Sequence, residues 1–145
     1  MRDYKKILLC LDLTEDSETI AARAKALAAT FEAELTLLHV VEYVPVEPMG
    51  EALLPAVQIE GELVDRARVR IAELATKLGL EHCERLVHTG NIKTEVVRIA
   101  QTRAVDLIVI GSRERHGVSI LFNFTEDTVL HAAPCDVLAV RLHRE

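Results

Sequence analysis

Four largely apolar runs constrain the fold of this chain more than any other feature. They lie at residues 7–11, 35–41, 107–110 and 137–142, and a short, less apolar fifth strand is predicted at residues 85–89. Continuous apolar runs without strict alternation are typical of parallel strands that are buried on both faces. Segments with helical periodicity lie between the runs. This order predicts an open α/β fold, with a five-stranded parallel sheet, helices on both faces and right-handed crossovers.

The helices have recognisable boundaries in the sequence. Thr14 is predicted to N-cap the first helix, and a long second helix is expected to run from Ile59 to a C′ glycine at Gly79. Gly90 and Asn91 are predicted to cap the third. Residues 43–57 contain three prolines and a glycine, which predicts an extended crossover loop and favours a linker over a ligand lid.

Composition limits the class of protein. The 145 residues, half of them hydrophobic, predict one domain over residues 1–145. A net charge of −6 disfavours nucleic acid as a partner, and the longest apolar runs are too short to span a membrane. Three cysteines without C-x-x-C spacing fit a reducing compartment, so we expect a cytoplasmic protein.

The most informative stretch covers residues 106–141. An apolar strand is followed by Gly111 and Ser112, a basic loop, a helical pattern at residues 125–132 and a final strand. In α/β proteins this arrangement forms anion sites, because backbone N–H groups at the turn and at the helix N-terminus converge on one point. Any ligand site is therefore expected here.

The segments GSRERHG, NFT and VLHAAPCDVLAVR resemble the C-terminal half of the universal stress protein family, and KKILLCLDLTEDSE resembles its opening strand and turn. The resemblance implies strand order 3-2-1-4-5 and a crevice between the first and fourth strands, where open α/β sheets bind ligands. It makes ATP or AMP the candidate ligand. The implied binding residues are Asp12, Val40, Val41, Gly111, Ser112, Arg113, Arg115, Gly117 and Thr125.

The nucleotide loop departs from the family pattern at two glycine positions. In nucleotide-binding members it has the form G-x2-G, about nine residues, then G-[S/T]. Here Glu114 replaces the second glycine, and the later pair falls on Asn123-Phe124, or on Phe124-Thr125 if the register slips by one. A carboxylate about 4 Å from a phosphate oxygen costs roughly 4 kcal/mol at an effective dielectric near 20. We therefore predict no tight ATP binding. A nucleotide sensor using the crevice is the alternative.

Asp12 has two interpretations. It accepts hydrogen bonds from a ribose or adenine, or it caps its own turn. The sequence contains no G-x-S-x-G elbow, no complete P-loop and no metal-binding histidine spacing. A non-enzymatic stress-response protein is therefore favoured over a slow ATPase or an adenylating enzyme.

The final apolar strand is expected at a sheet edge, where it can pair with another chain. The resemblance implies a homodimer in which the final strands of the two copies pair antiparallel about a two-fold axis. A different protein is a further candidate partner. The alternative is a monomer whose edge is protected by Arg141 and Arg144. The implied dimer residues are Val137, Leu138, Ala139, Val140, Arg141 and Leu142.

Overall fold

The computed structural model describes residues 3–42, 53–113, 129 and 131–142, with residues 53–58 and 113 described by their backbone alone. Its strands and helices alternate along the chain, and residues 129, 131 and 132 are helical. The elements are β1 (Lys6–Cys10), α1 (Ser17–Phe31), β2 (Glu34–Val41), α2 (Leu53–Lys77), β3 (Glu84–Thr89), α3 (Ile92–Thr102), β4 (Leu107–Arg113) and β5 (Asp136–Leu142).

The strands form one sheet in the order β3-β2-β1-β4-β5. Every neighbouring pair is parallel. Leu9 of the central strand lies level with Leu37 on one side and Val109 on the other. The predicted architecture and strand order are therefore confirmed, with β3 and β5 at the two edges.

Each face of the sheet has its own hydrophobic core. Ile7 and Leu9 of β1 lie in the cluster under α1 and α2, whereas Leu8 lies in the cluster under α3. Because successive side chains of a strand point to opposite faces, burial of all three requires helices on both sides. This explains why β1 is apolar without alternation.

Helix α2 begins at Leu53 rather than at Ile59, so the predicted loop over residues 43–57 is partly wrong. Pro55 lies in the first turn, where backbone N–H groups have no partner within the helix, and proline therefore breaks no helical hydrogen bond there. The predicted end is confirmed, because Gly79 has a φ of 70° and the next N–H donates to the Ala75 carbonyl at 2.7 Å. Residues 43–52 lie outside the described part of the chain.

The predicted cap of the third helix is also confirmed. Asn91 is the N-cap of α3, and its side-chain oxygen accepts a hydrogen bond from the Thr94 N–H at 3.0 Å.

Among the described residues, no helix is both long and apolar enough to cross a membrane.

Candidate functional site

The candidate site lies at the carboxyl ends of β1 and β4. Strand β4 pairs with β1 only as far as Val109, but it continues alongside β5 to Arg113. Past Leu9, which lies level with Val109, β1 no longer pairs with β4, and the chain continues through a turn to α1. This divergence is the topological switch point, where ligands of open α/β sheets bind.

Asp12 organises the turn between β1 and α1. Its Oδ1 accepts hydrogen bonds from the Thr14 N–H at 3.1 Å, the Thr14 hydroxyl at 2.8 Å and the Ser17 hydroxyl at 3.3 Å. The prediction that Thr14 N-caps the helix is wrong: α1 begins at Ser17, and Thr14 donates to Asp12. The exposed carboxylate does cap its own turn, which was one of the two interpretations.

Two side chains that are distant in sequence, Arg70 and His39, donate hydrogen bonds to backbone carbonyls of the same turn. Leu13 is buried and has a φ of 59°, in a region that residues other than glycine rarely occupy. The Arg70 guanidinium of α2 donates to the Leu13 carbonyl, and His39 Nδ1 donates to the Leu11 carbonyl at 2.7 Å. Sequence reasoning missed the Arg70 contact, since no local pattern joins residues 57 positions apart.

Val40 and Val41 end β2 next to this turn. Both side chains are buried, Val40 in the core under α3 and Val41 in the core under α1 and α2. The Val41 carbonyl accepts a hydrogen bond from the Gly90 N–H at 3.1 Å. Any contact that these two residues make with a ligand is therefore made by backbone atoms.

Gly111 is not part of a turn, which corrects the prediction that the strand stops there. Its partner is Val140, and the strand continues through Ser112 to Arg113 because β5 pairs with it along this length. A Cβ on Gly111 would lie 2.5 Å from Ile20 Cδ1 and 3.2 Å from Leu142 Cδ1. The close approach of Ile20 from α1 and of Leu142 from β5 therefore favours glycine at this position.

The remaining predicted binding residues lie outside the described part of the chain. These are Arg115, Gly117 and Thr125, and the two loop departures Glu114 and Phe124 lie there too. Arg113 is described by its backbone alone, and Ser112 is half-buried opposite Arg141. The structure therefore brings Asp12, the end of β2 and the end of β4 to one edge of the sheet, and the basic loop stays a prediction.

Cys10, at the end of β1, adds no nucleophile to this edge. Burial, with a smaller contribution from Cys135, raises the pKa of the Cys10 thiol to about 12. The thiol is thus protonated at neutral pH, whereas the thiolate is the reactive form. Within the described ranges, no group of three or more His, Cys, Asp and Glu side chains is arranged to hold a metal ion.

The fold and this site define the class of open, doubly wound α/β proteins, which bind ligands where the strand order reverses. Comparison with known proteins identifies the family within this class. The model of the universal stress protein family matches residues 3–141, and the chain belongs to that family.

Individual relatives agree with this assignment. The chain is 37% identical over 143 residues to universal stress protein A homolog 2 of Coxiella burnetii, and the match covers 98% of each chain. The structure of hypothetical protein MJ0577 has a TM-score of 0.80 at 22% identity, covering 99% of this chain and 100% of the other. A universal stress protein solved in complex with cAMP has a TM-score of 0.65 at 19% identity, covering 96% and 98%.

Proposed function

We propose that this chain is a non-enzymatic, cytoplasmic stress-response protein that acts as a homodimer and does not bind ATP tightly. One observation carries the proposal: the two crevice residues with the strongest family resemblance serve the protein's own structure. The Asp12 carboxylate accepts three hydrogen bonds from its turn, and Gly111 makes room for Ile20. Both residues thus have structural roles that do not depend on a bound nucleotide.

The loop sequence supports weak nucleotide binding. Glu114 and Phe124 replace glycine or a small residue of the family's phosphate loop. The roughly 4 kcal/mol of repulsion expected for a carboxylate about 4 Å from a phosphate corresponds to about three decades in affinity. A triphosphate, which carries the most negative charge, is disfavoured most.

The position of β5 supports dimerisation. This strand pairs with β4 on one side and ends the sheet on the other among the described elements. Its residues Val137 and Leu138 are half-buried and Ala139 is exposed, so apolar surface is available beside unpaired backbone groups. A two-fold contact between copies of β5 pairs both edges at once, and such contacts are the commonest in soluble homo-oligomers.

Native mass spectrometry and calorimetry test the two parts of the proposal separately. We expect dimers, and calorimetry should detect no saturable ATP binding at tens of micromolar. Ala139→Asp should convert dimers to monomers because it places like charges across the two-fold axis, whereas Ala22→Asp, an exposed change on α1, should not. A monomeric parent protein would refute the dimer, and micromolar ATP affinity would refute the degraded loop.

A nucleotide sensor is the second candidate, favoured by the structural neighbour that was solved with cAMP. In this case the exposed Asp12 carboxylate accepts hydrogen bonds from the ligand while Thr14 and Ser17 hold it in place. ATP, AMP and cAMP should then raise the melting temperature of the parent protein and not that of Asp12→Ala. Ser17→Ala is the matched control, because it loosens the turn but keeps the carboxylate. If none of the three nucleotides shifts the melting temperature, the sensor is excluded.

A further inference from the structure

A second concave surface lies on the opposite half of the sheet from β4 and β5. It is a groove of about 380 Å³ between α2 and the edge strand β3. Arg68, Ile71 and Ala72 line it from the helix, and residues 85–88 line it from the strand. Two strands, β2 and β1, separate β3 from β4, so this groove is distinct from the crevice at the switch point.

The groove runs beside β3, which is an edge strand among the described elements. β3 pairs with β2 along its length, and no other described strand flanks it. The Gly90 N–H donates to the Val41 carbonyl, so by strand alternation residues 88 and 90 turn their backbone groups toward β2. Residues 85, 87 and 89 then present their N–H and C=O groups to the open side. Such an edge is a template for an added strand.

The charge of the groove indicates what kind of segment fits. Arg68 and Arg85 line it, and among the described residues neither forms an ion pair with a carboxylate. The Arg85 guanidinium donates to the carbonyls of Glu81 and Cys83 at 3.1 and 3.4 Å, which leaves its charge without a carboxylate counterion. The groove thus presents two arginine side chains that no described carboxylate pairs with.

Two acidic side chains near the groove, Glu84 of β3 and Glu95 of α3, are engaged by other arginines. The Glu84 carboxylate is held in a bidentate pair by Arg103, with both distances 2.7 Å. Glu95 accepts two hydrogen bonds from Arg98, at 2.8 and 3.1 Å. The two groove arginines therefore have capacity for an incoming carboxylate that these residues do not supply.

We propose that this groove docks an extended acidic segment of a partner protein, which pairs with β3 as an additional parallel or antiparallel strand. Its carboxylates lie on the α2 face, where they reach Arg68 and Arg85, and its alternate apolar side chains lie on the opposite face beside the half-buried Leu86. A second copy of this chain fits less well, because its β3 edge brings a second set of groove arginines to the junction instead of carboxylates. The inference is independent of the proposed dimer, which uses the opposite edge.

A designed peptide makes the proposal testable without knowledge of the natural partner. The probe is a fluorescein-labelled peptide of sequence Thr-Glu-Val-Glu-Val-Glu-Val-Thr. One control has lysine in place of every glutamate, and another has proline in place of the central valine, which removes a ladder N–H. We expect saturable anisotropy changes below about 1 mM for the acidic peptide. Binding of either control should be at least tenfold weaker.

Charge-reversal variants of the protein show where the peptide binds. They also distinguish the loss of a groove charge from a general loss of folding. Arg68→Glu should weaken the acidic peptide about fivefold or more, and Arg85→Glu should do the same. Arg66→Glu is the matched control, since this exposed residue lies on the same helix but does not line the groove. Arg68 donates no hydrogen bond to another described residue, so its variant tests the charge without disturbing the turn at residues 81–83. Amide shifts in NMR titrations should concentrate at residues 68–72 and 84–89.

Several results would overturn the proposal. These are no saturable binding at about 1 mM peptide, equal binding of the lysine or proline peptide, or full affinity in Arg68→Glu. Amide shifts confined to the ends of β1 and β4 would assign the peptide to the crevice instead. Displacement of the peptide by equimolar inorganic phosphate would show a site for small anions rather than a docking edge.

Discussion

The most direct test of the site's construction is the substitution Gly111→Ala. The structure places Ile20 Cδ1 2.5 Å from the position of the new Cβ, and Leu142 Cδ1 3.2 Å from it. Ile20 and Leu142 are both buried, so neither side chain moves without displacing its neighbours. The prediction is that one methyl group at position 111 destabilises the protein, although no ligand is involved.

The expected magnitude follows from two opposing effects. Overpacking in a close-packed core typically costs about 1–3 kcal/mol. Replacing glycine by alanine lowers the entropy of the unfolded chain, which returns about 0.4–1 kcal/mol where the backbone conformation suits an L residue. The φ of Gly111 lies outside the left-handed range, so this gain applies. The net loss should be about 0.5–2 kcal/mol.

Urea unfolding followed by circular dichroism, at one fixed protein concentration, measures this loss. Ile20→Val removes the clashing Cδ1 and by itself should cost about 0.5–1.5 kcal/mol. In the double variant the new methyl group occupies the space that was vacated, so the two costs should not add. We expect a favourable coupling of about 1 kcal/mol in the double-mutant cycle.

Gly61→Ala is the matched control. Gly61 lies in α2 and a Cβ there would meet no atom within 4 Å, so alanine should stabilise the protein by about 0.5–1 kcal/mol. A neutral or stabilising effect of Gly111→Ala, together with additive costs in the double variant, would show that packing against α1 does not require the glycine.

Three further predictions concern individual side chains. Asn91→Ala removes the hydrogen bond to the Thr94 N–H and should lower the free energy of unfolding by about 1 kcal/mol in urea, with Asn91→Gly costing less. The hydrogen bond from Arg98 lowers the pKa of the Glu95 carboxyl, so its stabilising contribution is present above the usual glutamate range and is lost as the pH falls through the lowered value. Glu95→Gln should accordingly reduce the loss of stability between neutral pH and pH values near 3, and an unchanged acid profile would contradict this. Because the pKa of Cys10 is raised to about 12, mass spectrometry after iodoacetamide treatment at pH 8 should show no alkylation of Cys10 in the folded protein and full alkylation in urea.

Local sequence patterns predicted the parts of the fold that depend on local chemistry. The apolar runs identified the strands, Asn91 identified its helix start, and Gly79 identified its helix end because a left-handed residue is required there. The strand order came from the family resemblance, and the structure confirms it. Helix α2 starts before the predicted Ile59, because the first turn of a helix tolerates a proline such as Pro55.

At the site, the sequence by itself determined that Asp12 and Gly111 each follow an apolar strand run, and the family resemblance implied that the carboxyl ends of these two strands meet at the switch point. Only the tertiary structure decided what they do. Gly111 continues a strand because β5 supplies a neighbour, and glycine is favoured there because Ile20 of α1 approaches its backbone. The physical reason is that strand continuation and close packing are set by chain segments far away in sequence, which no local pattern encodes.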